Sequence, residues 1–212
     1  MARTISLIVV LTAAVLVLAG SSSAALLKGV LPGLVAPADT PSAGSCEKSV
    51  SQPFARWGDR ANYVLMPGGT FEPGGAAWTL SKGGRIVTGN EPFYVHGAGE
   101  SYALELPPGA SALTPPNCFA FGDWKLRFFV AGSGGKVRVN IVVRSLLLGP
   151  LSILDGGTVR AGSTWQPSPE VQLTLTNLTG LLAVDAISVR FTSTGTSSVR
   201  IDDAYLDPWK GT

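Results

Sequence analysis

The sequence predicts an all-β chain built as two antiparallel sheets packed face to face. Three observations carry that prediction. Apolar residues recur with a period of two in several short runs, Gly- and Pro-rich turn signals separate those runs, and no stretch carries a stripe at the helical period. Lys136 to Arg144 shows the pattern best: Val137, Val139, Ile141 and Val143 share one face, and Lys136, Arg138, Asn140 and Arg144 share the other with Val142. Eight or more such strands with one apolar face fit a β-sandwich.

At the N-terminus, Arg3 precedes the apolar run Ile5 to Ala19, and Gly20 to Ala25 supplies small residues, which together read as a secretory signal over residues 1–25. Cleavage is expected between about Ser23 and Leu26. The run falls short of the roughly 18 apolar residues of a membrane span, although an uncleaved anchor stays open through the second apolar stretch, Leu26 to Val35. A secreted or cell-surface protein with no stable membrane insertion after cleavage is the expectation. Residues 26–45, with prolines at 32, 37 and 41, read as a flexible linker. Residues 46–212 then form one domain, expected to be monomeric.

Cys46 and Cys118 are the only cysteines, and an exported chain meets an oxidising compartment, so they form either one disulfide or two buried thiols. Two cysteines and one histidine do not make a zinc site. Without Arg3, 15 basic residues face 14 acidic ones, so net charge gives no reason to expect nucleic acid or an anionic membrane as a partner.

Along the domain, alternation recurs at Tyr102/Leu104/Leu106, Leu126/Phe128/Val130, Val171/Leu173/Leu175 and Ile187/Val189/Phe191. Turn signals stand at Pro67-Gly-Gly, Pro73-Gly-Gly, Lys82-Gly-Gly, Ser133-Gly-Gly, Asp155-Gly-Gly and Thr194-Gly-Thr. The segment Ser145 to Leu154 breaks the alternation and reads as strand, turn and strand buried on both sides, or as a loop contacting a partner or a lipid. The last strand, Ser198 to Asp207, contains Asp202 and Asp203 side by side. Neighbours on a strand point to opposite faces, so one of the two is expected to point inward. There it needs a hydrogen bond, a counter-charge or a metal.

These residues carry a resemblance. Gly68-Gly-Thr-Phe-Glu72 followed by Trp78, then Thr164-Trp165, then Ile201-Asp-Asp-Ala-Tyr-Leu206, resembles in order the motifs of jelly-roll carbohydrate-binding modules, galactose-binding-like β-sandwiches. A further likeness is to secreted actinobacterial proteins that carry, in order, a Cys, a Pro-Phe, a Trp-Gly-Asp, a Gly-Gly-x-Phe-Glu and an Arg-Phe-Phe. The jelly-roll resemblance implies a structural calcium ion between the first and last strands. Glu72 and Asp203 would be its side-chain ligands, with Asp202 as substitute if a bulge shifts the register; calcium's preference for oxygen suits this set. Without a metal, the inward aspartate would pair with Arg85, Arg127 or backbone amides.

The resemblance also implies a glycan or cell-surface polysaccharide as partner. Sugar rings stack on flat aromatic side chains, and Trp124, Phe93 and Tyr94, with His96 beside them, are the candidates for an exposed platform, with packing into the core as the alternative for each. Trp78 and Trp165 match core positions. No catalytic motif appears: there is no Gly-x-Ser-x-Gly elbow, His96 has no nucleophile by motif, and Glu91, Glu100, Glu105, Asp123 and Glu170 form no pattern. Two readings remain, a noncatalytic carbohydrate-binding sandwich and a structural or protein-interaction domain on the same scaffold.

Overall fold

The computed structural model describes residues 49–74, 77–117, 123–145, 149–174 and 184–207. The signal, the linker, Cys46, Cys118, Trp209 and Leu146 to Leu148 lie outside the described residues. Thirteen strands are present among those described: β1 (Val50–Ser51), β2 (Tyr63–Leu65), β3 (Thr79–Ser81), β4 (Arg85–Thr88), β5 (Tyr102–Leu106), β6 (Ser111–Leu113), β7 (Asp123–Ala131), β8 (Lys136–Ser145), β9 (Gly149–Arg160), β10 (Gln166–Pro167), β11 (Val171–Thr174), β12 (Val184–Ser193) and β13 (Val199–Asp207). A 3-10 turn at Ala55–Trp57 is the one helical element among them.

The strands form two antiparallel sheets wound as a jelly roll. One sheet has the order β3-β6-β12-β8-β9. In the other, β13 is central: one edge pairs with β7, which also holds β10 and β11, and the other pairs with β5 through Val199 to Ile201 and with β2 through Tyr205 and Leu206. The neighbour of β13 therefore changes from β5 to β2 across Asp202, Asp203 and Ala204.

The expected alternation holds where it is described, Leu175 and the Val143 side chain lying outside the described residues and Tyr102 staying only partly buried. Leu104, Leu106, Leu126, Phe128, Val130, Val137, Val139, Ile141, Val171, Leu173, Ile187, Val189 and Phe191 all join one buried core between the sheets. Trp78 stacks on Phe191 in that core, and its Nε1 donates to Pro67 O at 2.9 Å. One turn signal is not a turn. Asp155-Gly156-Gly157 lies inside β9, where the register against β8 shifts at Val139/Asn140 and Gly157 takes φ +100°, so the glycines serve a β-bulge. The strands flanking residues 146–148 do form a hairpin, with Ser145 opposite Gly149.

The outer face of the β13 sheet is also covered. Phe54, Tyr63, Phe129 and Tyr205 make a second buried cluster there, with Trp57, Phe93, Val95 and Trp165 packed against it. Arg127 clamps this layer: Nη1 donates to Asp59 Oδ2 at 2.6 Å, Nε and Nη2 donate to Ser168 O, and the guanidinium lies over the Phe54 ring. Trp165, expected in the core, sits partly buried in this outer layer.

Candidate functional site

The aspartate pair forms a bulge. Asp202 lies opposite Phe129 and Tyr205 opposite Arg127, so β13 carries one residue more than β7 over this stretch. Asp203 absorbs it with φ +46°, a left-handed conformation that aspartate tolerates better than most residues. Strict alternation is thereby broken, and both carboxylates are buried. Neither enters the core between the sheets: Ile201 and Ala204 do, while Asp202 and Asp203 face the loop that joins β4 to β5. The expectation of one inward and one outward aspartate fails because the extra residue places both on the loop side.

That loop is fastened through carboxylates. Asp202 Oδ2 accepts from Glu91 N, and its Oδ1 from Asp203 N, each at 2.9 Å. Glu91, fully buried, accepts from Phe93 N and from Val95 N (2.7 Å). Glu100 accepts from Gly97 N (3.2 Å) and from His96 Nδ1 (2.6 Å). Asp203 is different: it is 0 % exposed, and neither carboxylate oxygen has a hydrogen bond of normal geometry, the nearest donor being the His96 backbone amide, which favours its anion only weakly. Glu91, Glu100 and Asp203 bring carboxylate oxygens within 4.8 Å of one another.

The electrostatics follow from this crowding. Burial pushes the Asp203 carboxyl up to about 9, and the neighbouring Glu100, Asp202 and Glu91 charges push the same way. Burial pushes Asp202 up to about 8 against the two amides that favour its anion. Burial likewise raises Glu100, partly offset by His96. A carboxylate cluster held up in this way needs protons or a cation. The donor set fits calcium, which takes six to eight hard oxygens, and the orphaned oxygens of Asp203 are where a cation would be missed most.

Glu72 is outside the cluster. Its Oε1 accepts from Ser101 N (2.6 Å) and Tyr102 N (2.9 Å), which ties the turn after β2 to the start of β5. Glu91 and Glu100 stand where Glu72 was expected. The proposed arginine partners are engaged elsewhere, Arg85 with Glu105 and Arg127 with Asp59.

The expected aromatic platform divides. Trp124 is 1 % exposed and belongs to the core between the sheets, so it offers no surface for a ligand. Phe93 is half-buried, edge-on to Trp57 at 5.0 Å between ring centroids, and the Arg56 guanidinium lies over both rings. Tyr94 is 51 % exposed with φ +51°. The His96 side chain is about half exposed and reaches back to Glu100. Trp57, which sequence reasoning did not single out, thus joins Phe93 on the outside of the β13 sheet.

The fold defines the class: a two-sheet antiparallel β-sandwich of the jelly-roll kind. Solved structures similar to it include carbohydrate-binding modules. One is the CBM22-1 xylan-binding domain of Paenibacillus barcinonensis Xyn10C, at 10 % identity and TM-score 0.43, over 64 % of this chain and 88 % of that one. A second is a CBM29-2 mutant complexed with mannohexaose, at 15 % identity and TM-score 0.45, over 71 % and 94 %. A third is the CBM22-1-GH10 portion of a Clostridium thermocellum endo-1,4-β-D-xylanase complexed with xylohexaose, at 12 % identity and TM-score 0.45; 64 % of this chain matches and spans only 26 % of that chain. No protein-family model and no curated protein matches the sequence, so the likeness to secreted actinobacterial proteins gains no support.

Proposed function

We propose that this chain is a secreted, noncatalytic carbohydrate-binding β-sandwich whose β4–β5 loop is fastened by a structural calcium ion. The observation that carries sugar binding is Tyr94: an exposed ring on a backbone held from both sides, since the amides of Phe93 and Val95 are tied to the buried Glu91. A ring carried on a backbone ordered before the ligand arrives stacks on the apolar face of a sugar at a smaller ordering cost. Phe93, the neighbour of Tyr94 in the chain, packs edge-on to Trp57, and the exposed Arg56 over that pair adds hydrogen-bond donors.

Glu91, Glu100 and Asp203 would hold the cation, with Asp202 orienting the loop through Glu91 N. Bound there, calcium would neutralise the crowded carboxylates and staple the loop to β13. Its role would be structural, with no hydrolytic pair arranged around it among the described residues. Glu91 and Glu100 are committed to loop amides, and the His96–Glu100 pair faces no nucleophile among the described residues.

Affinity electrophoresis of the exported protein against a panel of neutral polysaccharides tests the reading. A shallow aromatic surface gives dissociation constants in the micromolar to millimolar range, about −8 to −4 kcal/mol. Retardation by at least one polysaccharide that is lost in Tyr94→Ala supports the reading. A folded protein retarded by none of them puts the protein-interaction reading in its place.

A further inference from the structure

The outer face of the five-stranded sheet carries a charge pattern that the net charge conceals. On β8, Val137, Val139 and Ile141 are buried in the core, which turns Lys136, Arg138 and Asn140 outward. On β12, buried Val189 and Phe191 turn Arg190 and Thr192 outward, and on β9 buried Val159 does the same for Thr158 and Arg160. Register then assembles them. Lys136 lies directly opposite Arg160, Arg138 opposite Thr158 and Thr192, and Asn140 opposite Arg190 and Asp155. Directly opposed side chains have Cβ atoms about 4.5–5.5 Å apart and diagonal ones about 7–8 Å, so Arg160, Lys136, Arg138 and Arg190 form one contiguous band across three strands.

Their compensation is incomplete. Among the described residues the one carboxylate in the band is Asp155, and it is taken: Oδ2 accepts from Arg138 Nη2 at 2.8 Å and Oδ1 from Gly157 N. Lys136, Arg160 and Arg190 have no ion-pair partner among the described residues. Lys136 and Arg160 form a like-charge pair directly across the sheet, an arrangement that costs stability unless an anion bridges it. The cations stand on long paired strands, so their spacing is fixed before a ligand arrives.

We propose that this face binds an acidic polysaccharide, a glycan with carboxylate or sulfate groups repeated along its chain. Arg160, Lys136, Arg138 and Arg190 would take successive anionic groups. Asn140, Thr192 and Ser111, which lies opposite Thr192, offer hydrogen bonds to hydroxyls. No aromatic side chain among the described residues faces out from this sheet, which removes the stacking that single-stranded nucleic acid uses. Val142, the apolar member of the β8 face, is buried rather than poised to enter a lipid surface. The face is on the opposite side of the sandwich from Tyr94, so this is a second binding surface; it rests on the carbohydrate-binding reading only in choosing a glycan among polyanions.

The test is retention of the whole protein on immobilised polygalacturonate and dextran sulfate, with neutral dextran and duplex DNA as parallel arms. The expected result is at least tenfold tighter retention on one or both acidic glycans than on neutral dextran, weakening as salt rises. The two acidic arms separate a carboxylate ligand from a sulfate one. The triple variant Lys136→Gln, Arg160→Gln, Arg190→Gln should lose at least tenfold on the acidic glycans while its unfolding midpoint stays or rises, and Tyr94→Ala should change nothing there. Equal retention on acidic and neutral polymers, or an unchanged triple variant, overturns the inference. So does duplex DNA held as tightly as the acidic glycans and released by the same substitutions. Retention on neutral glycans through Tyr94 with none on acidic ones overturns this inference alone and leaves the carbohydrate-binding reading standing.

Discussion

Replacing Asp203 by asparagine should stabilise the protein in a chelator and destabilise it in calcium. Asparagine keeps the shape and tolerates the left-handed φ of +46° at this position, so the substitution changes charge with little backbone penalty. Without a cation, the buried carboxyl is raised to about 9, well above its unfolded value of 3.8. At pH 7.5 the folded state must therefore hold a proton that the unfolded state has released, which costs up to about 5 kcal/mol at 1.36 kcal/mol per unit. Water entry and loop relaxation reduce that ceiling, and a gain of about 1–3 kcal/mol is expected, or a rise in unfolding midpoint of roughly 5 °C. With calcium at about a hundred times its dissociation constant, wild type gains about 2.7 kcal/mol by linkage and the variant loses most of it. Asp202→Ala removes a similar burial cost but strips Glu91 N and Asp203 N of their acceptor, worth about 1–3 kcal/mol, so in chelator it should be less stable than Asp203→Asn. Thermal unfolding followed by circular dichroism, with and without calcium, reads all of this. An Asp203→Asn variant less stable than wild type in chelator would refute the argument that an unpartnered buried carboxyl destabilises the apo state.

The same groups set a pH dependence: with folded values near 8 and 9 for Asp202 and Asp203 against 3.8 unfolded, the folded state binds the extra protons between these limits. Apo stability should therefore fall as pH rises from about 5 to 8, by up to 1.4 kcal/mol per unit for each carboxyl, and calcium should flatten the slope; urea midpoints across this range measure it. Trp124→Ala should cost about 3–5 kcal/mol by emptying a fully buried site, measured by denaturant unfolding, whereas Tyr94→Ala should shift stability by no more than about 0.5 kcal/mol. Glu72→Gln should leave calcium affinity within a few fold of wild type, and Glu100→Gln should weaken it at least tenfold, both by titration calorimetry, since only Glu100 belongs to the carboxylate cluster.

The sheets were legible because period-two alternation survives wherever one face of a strand meets the core, and Val137, Val139, Ile141, Val189 and Phe191 all lie where that rule puts them. Trp124 was legible too, by a signal left unused: it shares parity with Leu126, Phe128 and Val130, which already marks its face as the buried one. The aspartate pair pointed to a site, but its partners did not show. A bulge is one residue of excess against a strand distant in sequence, and nothing in Ile201-Asp-Asp-Ala204 states what β7 does opposite it. Glu91 and Glu100 sit on a loop whose path depends on the hydrogen bonds they themselves accept, so no spacing rule finds them. The basic band was half visible in the alternation of β8, but its like-charge pairing with Arg160 required the register of β9, which the bulge at Gly156 shifts.

The central claim is that the rigid aromatic surface at Tyr94 binds carbohydrate. A glycan array probed in calcium with the purified protein, alongside Tyr94→Ala of equal unfolding midpoint, tests it most directly. The account predicts a coherent set of related glycans bound by the wild type and lost in the variant. Wild-type protein that is folded and calcium-loaded yet binds no glycan, or a Tyr94→Ala variant with the full wild-type pattern on neutral glycans, would contradict it.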